Sequence, residues 1–318
     1  MNLHFWCGPA GAPAIFLRPG KIWLKAVSGN NDLRDCVSYQ KKTNLQHYNK
    51  YFLKQKYLSY RQSVISYGVS GTGAQPVICL HGFNESAQSF SVLKNNSNHY
   101  TILAIDAPFH GNTRWEEGPR FTPGQLHEII QLLLSAESFN ITKPLILVGF
   151  SMGGRMCLSY YQQYPQTVQQ LMLLAPDGLE MSFWYWCAAH TILGNRLFAL
   201  TMKKPGWLIK FAGILYKAGI INAGVKKFAV HYLHQSQVRE MLYTTWTAFR
   251  FFTPDIAQVK KIIAQTQTPV QLYFGQYDNV IPAKRGLQFV KNIEPFAHVH
   301  VLEAGHRLLQ DKTVQTIL

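Results

Sequence analysis

Acidic residues are scarce in this sequence: Asp and Glu number 16 against 31 Lys and Arg, a formal net charge of +15 over 318 residues. That imbalance favours anionic partners, whether a membrane surface, a nucleic acid or an acidic substrate. Charged residues of both signs reach only 15 % while hydrophobic residues reach 47 %, which excludes a disordered chain and supplies a sizeable core. Paired cysteines are also lacking. Cys7, Cys36, Cys79, Cys157 and Cys187 are scattered, odd in number and form no Cys-x-x-Cys, so neither a disulfide framework nor a zinc clip is expected, and reduced thiols fit a cytoplasmic protein. His231 and His234, three apart, have no carboxylate or cysteine neighbours to complete a metal set. No cofactor and no metal are expected.

Long uncharged apolar runs are missing too. The nearest, Phe183 to Leu200, is interrupted by His190, Asn195 and Arg196, so no membrane span is expected. The N-terminus has no basic start, and Pro9, Pro13 and Pro19 break its apolar stretches, which does not read as a signal peptide. There is no internal repeat, no zinc-finger spacing and no discrete basic tail, so nucleic acid is not an expected partner.

What remains is strong alternation. Residues 1–50, rich in Gly, Pro, Asn and Lys, show no period and read as an irregular leader. From there short apolar runs predict strands at Lys54–Tyr60, Val64–Val69, Pro76–Leu80, Thr101–Ile105, Leu145–Val148, Leu171–Leu174, Val270–Phe274 and His298–Leu302. Helical patterns separate them. The clearest runs from Thr122 to Glu137: Thr122 suits an N-cap, Pro123 the first helical position, and Leu126, Ile129, Ile130, Leu133 and Leu134 share one face. Strands alternating with helices predict a mostly parallel α/β sheet covered on both faces, with ligands bound at the carboxyl ends of its strands. The expected core covers 51–179 and 256–318. Residues 180–255 lack a strand pattern and are aromatic and basic (Phe183, Trp184, Trp186, Trp207, Lys203, Lys210 among others), and read as an inserted helical lid.

The chemistry-bearing motif is Gly149-Phe150-Ser151-Met152-Gly153, directly after an apolar strand and before the helix-compatible stretch Arg155 to Tyr164. A serine at the tip of a sharp strand-to-helix turn needs small neighbours, and the helix N-terminus offers backbone donors to an oxyanion. Together with His81-Gly82-Phe83 after one strand, Asp106-Ala-Pro-Phe-His110-Gly111 after the next, and Asp278 and Gly305-His306 after two late strands, this resembles the α/β-hydrolase family over about residues 60 to 318. At position 109 relatives usually carry glycine where this chain has phenylalanine.

The resemblance implies a fold and a mechanism. Ser151 would be the nucleophile, His306 the general base and Asp278 the acid that orients it; Asp177 is the rival, since some relatives carry their acid there. The backbone N–H groups of Phe83 and Met152 would form the oxyanion hole, and Asp106 and His110 would be structural. The expected activity is cleavage of a carboxylic ester or related acyl bond through an acyl-enzyme, on a small-molecule acyl substrate, with the lid forming an apolar acyl pocket and its lysines approaching an anionic membrane surface at the periphery. Carbon–carbon-bond hydrolysis, acyl transfer and non-catalytic ligand binding on the same residues stay open, because a fold does not select a reaction.

Overall fold

The computed structural model describes residues 14–18, 21–25, 53–93, 99–219, 233, 235–310 and 314, and the chain divides into two units, Met1–Gln46 and His47–Leu318. In the first, β1 (Ala14–Arg18) pairs antiparallel with β2 (Lys21–Lys25), Arg18 opposite Lys21. The leader expected to be irregular therefore contains one regular element. Its sequence accounts for it: Ile-Phe-Leu and Ile-Trp-Leu, both rich in strand formers, flank Pro19-Gly20.

The second unit opens with β3 (Lys54–Tyr60) and β4 (Ser63–Gly71), followed by β5 (Gln75–Leu80), β6 (Tyr100–Ile105), β7 (Leu145–Phe150), β8 (Val168–Leu174), β9 (Val270–Gly275) and β10 (Ala297–Leu302). They form one sheet in the order β10-β9-β8-β7-β5-β6-β4-β3. From β6 to β10 all neighbours are parallel; only β3–β4 and β4–β6 pair antiparallel. Each strand expected from its apolar run is present, and β7, Leu-Ile-Leu-Val-Gly-Phe, is buried at every position. A strand covered on both faces has no polar side to show, which is why such runs do not alternate.

Helix α1 (Pro123–Ala136) starts as its sequence requires: Thr122 Oγ1 accepts the Gln125 N–H while the Gln125 side chain accepts the Thr122 N–H, a capping box, and the five apolar positions of its stripe are all buried. Helix α2 (Met152–Gln163) lies along β5, β7 and β8, with α1 beside it. Between β8 and β9 come α3 (Phe183–His190), α4 (Ile192–Lys203), α5 (Gly206–Lys217), α6 (Ser236–Ala248) and α7 (Ile256–Thr266). Among these, α7 packs on α2, whereas α3, α4 and α6 pack on one another, so the helical insertion holds no strand among its described residues. Lys226, Lys227, His231 and His234 lie outside the described residues. Helix α8 (Lys284–Val290) packs on β10. No helix among the described residues is long and apolar enough to cross a membrane.

Candidate active site

The site is assembled at the carboxyl ends of four parallel strands. Ser151 follows β7, with φ 50° and ψ −114°, a left-handed conformation that L-residues adopt at a cost. The turn is held by three backbone bonds: Ser151 N–H to the Leu174 carbonyl, and the Gly154 and Asp177 N–H groups to the Ser151 carbonyl, each at 2.9 Å. The flanking glycines are needed for space. A Cβ on Gly149 would lie 2.6 Å from the Gly153 carbonyl oxygen, and one on Gly153 would overlap the Leu80 carbonyl. The turn can therefore be this tight only with glycine on both sides of the serine.

His306 follows β10 and Asp278 follows β9. His306 Nδ1 is 2.8 Å from Asp278 Oδ2, and His306 Nε2 is 3.2 Å from Ser151 Oγ. The other Asp278 oxygen accepts the Val280 and Ile281 N–H groups at 2.7 and 2.9 Å. Burial pushes the Asp278 carboxyl up, but the His306 hydrogen bond and those two backbone donors together hold it below the usual aspartate value. An ionised Asp278 accepts the Nδ1 proton, which leaves the Nε2 lone pair facing the serine hydroxyl. Asp177, the rival acid, is held elsewhere: its Oδ2 lies 3.5 Å from Arg155 Nε and its Oδ1 accepts the Gly178 N–H.

The loop after β5 is aimed by a buried histidine. His81 Nδ1 is 2.8 Å from the Gly82 carbonyl, and His81 Nε2 accepts the Ala107 N–H at 3.0 Å. The Nε2 role fixes the tautomer, so Nδ1 donates to Gly82. Because carbonyl and N–H of one trans peptide point in opposite directions, pinning the Gly82 carbonyl turns the Phe83 N–H the other way. The Met152 N–H belongs to the first turn of α2 and has no intrahelical acceptor. Phe83 and Met152 both line the cavity that contains Ser151.

Asp106 and His110 support this loop from below. Asp106 accepts Ser66 Oγ–H, Ala87 N–H and Asn112 N–H. His110 is 5.1 Å from the His81 ring and edge-on to Phe83 and Phe249. Phe109 has φ 65°, so this chain tolerates a phenylalanine in a conformation that suits glycine better.

A family profile described as the alpha/beta hydrolase fold matches residues 75–187, the stretch that contains the oxyanion-loop candidate, the Asp106 turn and the Ser151 elbow. The chain has the α/β-hydrolase fold. This α/β-hydrolase is 25 % identical over 249 residues to the uncharacterized hydrolase YugF of Bacillus subtilis, covering 76 % of this chain and 86 % of that one. It is 23 % identical to lipase 3 of a Moraxella strain, covering 73 % and 71 %. A thermophilic esterase structure from Thermogutta terrifontis superposes with a TM-score of 0.56 at 16 % identity, covering 81 % of this chain and 93 % of the esterase.

In this α/β-hydrolase Ser151 opens onto a cavity of about 330 Å³ whose walls include Phe83, Arg155, Tyr185, Thr245, Trp246 and Arg285. Tyr185 and Trp246 come from the helical insertion, so it contributes directly to the walls of the site. The walls are mixed in character. Arg155 Nε, Tyr185 Oη, Thr245 Oγ1 and Arg285 Nε are buried without a hydrogen-bond partner among the described residues, although Arg155 and Arg285 form ion pairs with Asp177 and Glu180 at 3.5 and 3.1 Å. Phe83 is expected here from the sequence, as are aromatic walls from the insertion; Arg155, Thr245 and Arg285 are not. Arg155 was the one with a signal: four residues after Ser151 on a helix, it shares the serine's face. A larger cleft of about 580 Å³, lined by His190, Arg196 and Arg250, contains none of the expected site residues. Among the described residues no group of three His, Cys, Asp or Glu could hold a metal ion.

Proposed function

We propose that this α/β-hydrolase is a serine hydrolase that cleaves a carboxylic ester or related acyl bond through an acyl-enzyme. The observation that carries the reading is the continuous line from the Asp278 carboxylate through His306 to Ser151 Oγ, 2.8 and 3.2 Å per link, ending at a cavity beside two backbone N–H donors. Ser151 Oγ attacks the carbonyl carbon while His306 Nε2 takes its proton, and Asp278 stabilises the imidazolium. The carbonyl oxygen becomes an oxyanion beside the N–H groups of Phe83 and Met152. The bond to the leaving group then breaks, and that group departs with the proton from His306. Water, deprotonated by the same histidine, attacks the acyl-enzyme; the ester bond to Ser151 breaks, the acid is released and the serine recovers its proton. Each oxyanion donor contributes about 3–4 kcal/mol in such sites. The free, buried thiols of Cys79 and Cys157 suit a reducing, cytoplasmic setting.

The test is hydrolysis of p-nitrophenyl esters from acetate to palmitate by the wild type and Ser151→Ala. The wild type turns over, and the alanine variant loses at least about a thousandfold in kcat. A Ser151→Ala variant as active as the wild type would falsify the nucleophile. If neither turns over, labelling of the wild type but not the variant by a fluorophosphonate retains the nucleophile and removes simple esters as substrates.

A further inference from the structure

The aromatic and apolar residues of the helical insertion fall into two sets. One faces inward: Tyr185, Phe198, Tyr243 and Trp246 pack ring against ring, with centroids 5.0 to 5.5 Å apart. The other is left outside. On α4, Ile192 and Leu193 are 77 % and 80 % exposed, and Leu197 and Leu200 are exposed one and two turns further on. On α5, Trp207, Phe211 and Ile214 are exposed at the same helical spacing. A helix of a water-soluble domain ordinarily turns its apolar stripe to the core; α4 and α5 present a second stripe to solvent.

The charges among these residues are of one sign. Arg196 and Lys203 on α4, Lys204 between the helices, and Lys210 and Lys217 on α5 are all exposed and alternate with the apolar side chains. From Met181 to Gln235 there are seven Lys or Arg and no Asp or Glu. An interface with another protein is depleted in lysine at its core. Apolar and aromatic groups interleaved with flexible cations are instead what the boundary of an anionic bilayer accepts: the rings and branched chains enter among the acyl chains while lysine stems extend their ammonium groups to the headgroups.

We propose that the outward faces of α4 and α5 form a docking surface for a bilayer containing anionic lipids, lying flat on it without crossing it. The neighbouring α3 links this surface to the cavity, since exposed Phe183 and Trp186 flank Tyr185, which lines the cavity at Ser151. The proposal does not depend on the identity of the nucleophile.

The test is co-sedimentation of the full chain with vesicles of phosphatidylcholine alone and of phosphatidylcholine with phosphatidylglycerol in equal parts, at low and raised salt. The wild type binds the mixed vesicles, binds phosphatidylcholine at least about tenfold more weakly, and is released by salt. The triple variant Trp207→Ser, Phe211→Ser, Ile214→Ser and the variant Lys203→Gln, Lys204→Gln, Lys210→Gln, Lys217→Gln each lose at least about tenfold in binding with unchanged thermal melting. A control substitution of an exposed apolar residue elsewhere, Leu132→Ser, leaves binding unchanged. Failure of the wild type to bind mixed vesicles overturns the proposal. So does binding that survives both sets of substitutions, and so does a wild-type dimer that the triple variant converts to monomer while vesicle binding is absent, which would make a second copy of this chain the occupant.

Discussion

At Asp278 the two carboxylate oxygens have different work. Oδ1 holds the backbone of Val280 and Ile281, and Oδ2 holds the His306 ring. An asparagine can keep the first pair of bonds with its amide oxygen, but its NH₂ then faces His306 Nδ1 and selects the wrong tautomer. Asp278→Asn is therefore expected to melt close to the wild type and to lose about four orders of magnitude in kcat. Asp177→Asn, acting on a residue paired with Arg155, leaves kcat within about tenfold; the reverse ranking in a kcat comparison would move the acid to Asp177. At His110, burial and then the neighbouring His81 push the imidazole down from its usual 6.5 to about 3. The unfolded chain takes up that proton near 6.5 and the folded chain does not until about 3. The unfolded state thus binds more protons between these values, so stability is complete above the upper one and falls as pH drops toward the lower. His110→Phe keeps the ring among Phe83 and Phe249 and removes the titration. Thermal melting as a function of pH should show a shallower acid slope for this variant, with the remaining slope carried in part by buried His81, whose value is also lowered by burial.

Elements in this protein are specified by short-range rules where they succeed. Thr122 and Gln125 cap α1 reciprocally, so Thr122→Ala is expected to cost about 1 kcal/mol, lowering Tm by about 2–4 °C without changing ester hydrolysis at 25 °C; circular dichroism melting checks it. The same short-range logic made the strands and the Gly149–Gly153 elbow legible, because a buried strand is a run of apolar residues and a tight turn is a steric requirement on single residues. It served less well in two places. The β1–β2 pair was hidden in a segment whose Pro, Gly and Asn content masks two short strand-forming triplets. In α4 and α5 the apolar periodicity is visible, but a period states only that a face exists, not whether core or solvent meets it. Phe183 and Trp186 point outward while Tyr185 between them is buried, a distinction that composition does not carry.

For the whole molecule, every group of the candidate site comes from the unit His47–Leu318, between His81 and His306. Deletion of residues 1–46 is accordingly expected to leave a cooperatively melting protein with unchanged kcat/KM on a soluble ester, and loss of activity without loss of melting would assign the first unit a part in the site. What the sequence by itself determined is local: which segments are strands, where the serine turn sits, where α1 begins, and which Ser, Asp and His can follow strand ends. These depend on apolar periodicity, capping and steric demand over a few residues. What only the tertiary structure decided is the pairing of distant parts. Ser151 and His306 are 155 residues apart and meet because β7 and β10 are placed in one parallel sheet by β8 and β9. The choice of Asp278 over Asp177 as the partner of His306, the mixed walls of the cavity and the outward stripe on α4 and α5 follow from the same cause: they depend on which surfaces face each other once the sheet has closed its core, and no local pattern records that.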